Sequence, residues 1–169
     1  MLIISIMRIR ATATAGITLV EVMVSSVLLA TLFGAIFQVN AVCLRYVSAG
    51  KESMAAISHV NDRAEALRNL AFEDLTSTSR LTKVLSVPSN ASEFSATAPE
   101  VVKISAYPTS TGVTQLTRGA DGNVTVNSTA ASLGKSLVQV EVACTWKGGL
   151  AGRVQTERAV TIVANGTKK

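Results

Sequence analysis

The chain of 169 residues is poor in the side chains that build most reactive sites. One His and two Cys are too few for a four-ligand Cys/His zinc centre or a dense disulfide scaffold. Aromatic residues are 4% of the sequence, so a core must be assembled from Val, Leu, Ile and Ala. Charged residues are 16%, below the roughly 25% usual in soluble domains. Hydrophobic residues reach 48%, which argues against disorder and against a chain soluble from end to end. Proline is confined to Pro88, Pro99 and Pro108, so nothing before residue 88 need break a helix. No nucleophile-elbow serine, phosphate-cradling glycine loop or HExxH helix occurs. An enzyme is therefore not expected, nor a cofactor or metal.

What is abundant is apolar sequence near the N-terminus. Ile17 to Phe37 reads ITLVEVMVSSVLLATLFGAIF, with Glu21 as its only charge, and the next charge is Arg45. At about 1.5 Å per residue this run covers roughly 30 Å, the thickness of a hydrocarbon core. Arg8 and Arg10 precede it, which predicts a cytoplasmic N-terminus and places residues 46–169 across the membrane. An ordinary secretory signal fits poorly, because its small residues should follow the apolar run. Here Ala13-Thr14-Ala15-Gly16 come first. A lipoprotein reading through Cys43 fits poorly too, because Asn40-Ala41-Val42 is a weak lipobox. A carboxylate at bilayer depth costs about 2.5–3.5 kcal/mol, so Glu21 is a functional candidate by default. A cut after Gly16 would place a new α-amino group roughly 6 Å of helix rise from it.

The string Gly16-Ile17-Thr18-Leu19-Val20-Glu21, behind a short basic leader and ahead of an uncharged helix, resembles the type IV prepilin signal. The resemblance covers the first 75 residues. It implies cleavage between Gly16 and Ile17 by a prepilin peptidase/methyltransferase, N-methylation of Ile17, and an assembly role for Glu21 with Thr18 in the same motif. The family usually carries Phe at the first mature position, where this chain has Ile17. The true start is left open between Met1 and Met7, since Met7-Arg8-Ile9-Arg10 already begins a complete short leader.

Beyond the membrane run the helix is expected to continue. Met54, Ile57, Val60, Ala64, Leu67, Ala71 and Leu75 recur at spacings of three or four and predict one apolar stripe. Lys51, Glu52, Asp62, Arg63, Glu65, Arg68 and Asn69 are read onto other faces. After Leu75 a Ser/Thr-rich stretch begins, and strand-like runs follow at 101–107, 113–117, 124–126, 137–146 and 154–163. Arg118 to Gly122 and Lys147 to Gly152 read as hairpin turns. Alternation puts Val138, Val140, Val142, Cys144 and Trp146 on one sheet face, with Val160 and Ile162 expected to join them. The fold class is thus α+β: a long N-terminal α-helix packed under a small antiparallel β-sheet head, pilin-like in layout. The segments are a leader (1–16), a transmembrane assembly helix (17–44), its amphipathic continuation (45–75) and the head (76–169).

The remaining candidates read as structural. Cys43 and Cys144 could pair in an oxidising compartment, but their expected positions favour two free thiols. His59 has no second ligand at metal spacing and is read as solvent-facing or packed. Asp121 and Asn123 hint at calcium without the full loop pattern, so a turn is expected. The sequons at Asn90, Asn123, Asn127 and Asn165 are read as chance. Sixteen Lys+Arg and 11 Asp+Glu are scattered, a poor footprint for nucleic acid.

These readings point to a minor pilin or pseudopilin, a non-enzymatic subunit of a type IV pilus or a type II secretion pseudopilus. It would sit in the bacterial inner membrane with its head in the periplasm, then in the filament. Its partners would be other pilin or pseudopilin subunits, met through the N-terminal helix. The alternative is a bitopic inner-membrane protein with a ligand-binding or adhesive head that never polymerises.

Overall fold

A computed structural model of the chain describes residue 16 and residues 18–109, 112–134, 136–148 and 152–166. The expected leader before Gly16, and Ile17 itself, lie outside the described residues. Helix α1 spans Leu19–Arg68. The chain divides into two compact units, Met1–Cys43 and Leu44–Lys169, and α1 begins in the first and ends in the second. In the first unit every described residue of α1 is exposed. This stretch is long and apolar enough to cross a membrane, with a mean hydropathy of 2.1 in its most apolar window. No Pro interrupts it, and Ala, Leu and Val favour or tolerate the helix.

In the second unit α1 buries Ala56, His59, Val60, Arg63, Ala64 and Leu67. Their spacing of three and one is a single helical face. It keeps Val60, Ala64 and Leu67 of the expected stripe but not Met54 or Ile57. Met54 is 75% exposed and Ile57 45%, while Arg63, read onto another face, is 2% exposed. The helix also stops at Arg68 rather than running on to Leu75. Asn69 and Leu70 close the last turn through bonds to Glu65 O and Leu67 O, and Ala71 is extended. The break lets three short helices fold back over the sheet: α2 (Phe72–Thr76), α3 (Thr78–Leu85) and α4 (Glu93–Thr97). Leu75, Leu81 and Leu85 enter the core from α2 and α3 and are fully buried. The sequence shows only Ser/Thr richness in this segment. Ser92, which caps α4 by accepting from Ser95 N at 3.1 Å, is one reason such residues can start a helix.

The five strands are β1 (Glu100–Ala106), β2 (Val113–Arg118), β3 (Val124–Ser128), β4 (Leu137–Lys147) and β5 (Val154–Ala164). They form one antiparallel sheet in the order β3-β2-β1-β4-β5. All five lie where alternation and turn residues put them, within three residues at each end. Gly122, at φ +79°, allows the β2–β3 turn, and Gly119 N donates to Asn123 O at 2.9 Å across it.

Val138, Val140, Val142, Cys144 and Trp146 all face the core, as expected. Val160 and Ile162 do not; they are 48% and 47% exposed. The register explains this, because Val142 faces Ala159, Val140 faces Thr161 and Val138 faces Val163. Directly opposed residues share a face, so the inner positions of β5 are 159, 161 and 163. Cys43 and Cys144 are both free thiols. Burial, with the nearby Glu100 charge, pushes the Cys144 thiol up to about 11, so it acts as an inert apolar group.

These faces predict unequal mutational costs. Val142→Ala should destabilise the protein by about 2 kcal/mol and Trp146→Ala by about 3–5 kcal/mol. Val160→Ala should cost under about 0.5 kcal/mol. Urea unfolding followed by circular dichroism checks the order, and a larger loss at Val160 than at Val142 would reverse the assigned faces.

Candidate functional site

Two places hold polar groups that an apolar core does not require. One is the first turn of α1 and the other is the buried face of its second half.

The helix begins at Leu19 because Thr18 closes its first turn. The Thr18 carbonyl accepts from Glu21 N at 3.0 Å and Val22 N at 3.2 Å. The Thr18 hydroxyl accepts from Glu21 N at 3.3 Å. Thr18 is therefore the N-cap and Glu21 the third helical residue, the spacing of a capping box. A carboxylate in the first turn also meets the positive end of the helix macrodipole. The two residues singled out in the sequence thus share a local helix-starting role beyond the expected one, and Thr-x-x-Glu ahead of an apolar run is its signature. At Gly16 a Cβ would meet nothing within 4 Å. A demand for a small residue there would come from a partner, not from the fold. Ile17 lies outside the described residues.

Beside Glu21, a shallow groove of about 350 Å³ is lined by Val22, Ser25, Ser26 and Leu29. Ser26, Ala30 and Gly34 follow at four-residue spacing, the small-residue pattern that lets helices approach closely in lipid. The Ser26 hydroxyl is satisfied within its own helix, donating to Val22 O at 2.7 Å.

The second place is a buried ionic cluster. Arg63 Nε donates to Glu100 Oε2 at 3.1 Å, and its terminal nitrogen lies 2.8 Å from Oε1. The guanidinium also donates to Val84 O and Val87 O, both at 2.7 Å. His59 Nε2 approaches Glu100 Oε2 at 3.1 Å, off the line of an ideal hydrogen bond. Its Nδ1 lies 2.7 Å from Ser89 Oγ and 3.0 Å from Ser95 Oγ. His59, Ser95 and Glu100 are fully buried. A second buried guanidinium, Arg118, donates to Ser95 O at 3.1 Å and Ala96 O at 3.0 Å. The cluster thus joins α1, the end of α3, α4 and the first residue of β1.

Burial pushes the Glu100 carboxyl upward, but His59 and Arg63 together outweigh it and hold the group below its ordinary value. Ser, His and Glu stand here in the order of a proton relay. Yet the carboxylate is shared with Arg63, His59 and Ser95 are fully buried, and only Ser89 is partly exposed. The arrangement ties α1, α3, α4 and β1 together. Two signals in the sequence mark it: His59 and Arg63 fall at helical spacing among Ala56, Val60 and Ala64, and Glu100 shares strand parity with Val102 and Ile104.

Asp121 sits in the β2–β3 turn, where hydrogen bonds from the Asn123 side chain and backbone hold its carboxyl below the ordinary range. Among the described residues no three His, Cys, Asp or Glu side chains gather as a metal site would require. No family model matches the chain, and no match was found among curated proteins or solved structures.

The cluster predicts an acid-sensitive fold. Glu100 is depressed in the folded state, so its stabilisation is present above the unfolded value of about 4.3 and is lost as pH falls through the lower folded value. Thermal unfolding from neutral pH down to about pH 3 should show this loss, and Glu100→Gln should be weaker at neutral pH and flatter in acid. Arg63→Met should cost about 3–5 kcal/mol, because it leaves a buried carboxylate without its cation. Adding Glu100→Leu to it should cost less than the single change does.

Proposed function

We propose that this chain is a minor pilin or pseudopilin, a structural subunit of a type IV pilus or a type II secretion pseudopilus. The observation that carries the reading is the start of α1. There, one carboxylate stands in the first turn of an apolar helix whose membrane-length part is exposed throughout among the described residues. Processing after Gly16 by a prepilin peptidase/methyltransferase would leave a methylated Ile17 as the new N-terminus. The subunit waits in the inner membrane with its head in the periplasm. On assembly, apolar surface covered by lipid becomes covered by neighbouring helices, and the groove and small residues past Glu21 suit such close approach. Glu21 then meets the α-amino group of a neighbour. In the low dielectric between helices the pair attracts far more strongly than in water. An unpaired carboxylate in lipid raises the energy of the stored subunit, so both terms drive assembly.

Capping and pairing are separable, because Gln supports a capping box and carries no charge. Glu21→Gln should therefore leave insertion and leader cleavage intact. Recovery in sheared filaments, or the secretion they support, should fall at least tenfold, with protein accumulating in the inner membrane. Intact mass spectrometry of the native membrane-extracted protein should begin at methylated Ile17. A mature protein starting at Met1 or Met7 sinks the proposal. A Glu21→Gln protein that enters filaments at the native level removes the electrostatic role and leaves Glu21 as a cap.

A further inference from the structure

The end of the head at the β4–β5 hairpin carries a feature that assembly through α1 does not use. Phe94, Pro99, Trp146 and Val154 line an open, mostly apolar cleft of about 370 Å³. Lys147 stands at its edge, and Arg153 precedes Val154; both are exposed. Val154 is 64% exposed. Trp146, the only tryptophan of the chain, walls the cleft from the core side; it is 9% exposed, and its buried indole N–H has no acceptor among the described residues. An open apolar cleft with an aromatic wall, edged by Lys and Arg, is the composition of a membrane–water interface.

Its place along α1 can be worked out within the second unit. Asn61 to Arg68 share a pocket with Ala159, Val160 and Thr161, and Leu70 to Phe72 share one with Val163 to Gly166. Strand β5 thus advances along α1 in the same sense as the helix. From Val160 back to Val154 is about 20 Å of strand, equivalent to about 13 helical residues. This brings Val154, and Lys147 paired with it, to the level of about Glu52. Burial on α1 starts in the same region, at the half-buried Ala49. Arg45, the first charge after Glu21, lies only about 10 Å of helix rise further back, roughly one Debye length. Tyr46 beside it is the aromatic expected where an apolar helix leaves lipid. Basic residues Arg45, Lys51, Lys147 and Arg153 therefore gather on this end, with the acidic Glu52 and Glu93 and the turn residue Asp121 nearby.

We infer that, while the subunit is stored in the membrane, the hairpin end of the head rests on the anionic phospholipid surface. Lys147 and Arg153 meet headgroup phosphates, and the cleft beside Trp146 receives the apolar region below them. The inference rests on the proposal that residues 17–44 span a membrane with the head outside. In a filament this surface must come free, so lipid contact holds the head in a storage position that assembly undoes.

Trp146 is its own probe. The full processed chain would be placed in bilayers of phosphatidylglycerol and phosphatidylethanolamine, or of phosphatidylcholine alone, each with brominated acyl chains. Trp146 fluorescence should be quenched at least twofold more in the anionic bilayer. Lys147→Gln with Arg153→Gln should remove the difference, and both side chains are exposed, so the fold should survive. Carbonate extraction separates the two levels of the argument. A chain washed off the bilayer overturns the membrane span and this inference together. A chain that stays inserted with Trp146 equally unquenched in both bilayers overturns only the lipid contact. Protection of Trp146 that depends on protein-to-lipid ratio overturns it in favour of a second copy of the chain.

Discussion

The contact between Arg63 and Glu100 is the point on which the second unit turns. Two charges removed from water must be matched group for group, because each left alone would cost several kcal/mol. Arg63 answers with one hydrogen bond and one close ion contact to Glu100 and with hydrogen bonds to the carbonyls of Val84 and Val87. The carbonyl of Val84 belongs to the last turn of α3, which has no partner of its own there, so the guanidinium also serves as a cap. One side chain of α1 thus sets where α3 ends and where β1 begins. His59 does the same for the loop before α4 through Ser89 and Ser95. Hydrophobic contact alone would tolerate a slide of the helix by a turn; this set of bonds does not.

Much of this is legible in the residues alone, and what is not has a physical reason. Strand positions can be read because turns need Gly, Asn and Asp and because half-buried strands alternate. The buried face of β4 follows directly. The face of β5 comes out inverted because large apolar residues are assumed to point inward. In fact the register with β4 puts Ala159, Thr161 and Val163 on the inner face, and Val160 and Ile162 are turned outward. The face of α1 is misread for the opposite reason. Arg63 counts as a solvent residue by type, because a sequence pattern cannot show that Glu100, 37 residues on, will neutralise it, whereas His59 is packed, one of its two expected positions. The helix end at Arg68 and the helices α2 to α4 are hidden by short length and weak propensity, since their stability comes from Leu75, Leu81 and Leu85 entering the core.

The candidate site at the start of α1 is readable as a motif, but only half of its chemistry is. Thr18 and Glu21 stand out through their resemblance to a processing signal. Their geometry adds that they also begin the helix. The two roles are compatible, because a capped first turn holds the carboxylate at a defined depth on the helix, where a partner's charge can find it. In the proposed reading, local structure therefore prepares the assembly contact.

The placement of His59 and Arg63 on the core face has a consequence for how the chain is made. Residues of α1 leave the ribosome well before Glu100, and until β1 is available the two side chains have no buried partner. An Arg at the centre of a bilayer costs about 2.5–3.5 kcal/mol on insertion scales. In the proposed reading the second half of α1, which carries Arg45 and Lys51 as well as Arg63, is therefore too charged to follow the first half into lipid. In that reading the guanidinium that locks the finished head also adds to the charge that marks where the membrane segment ends, before the head exists to mark it.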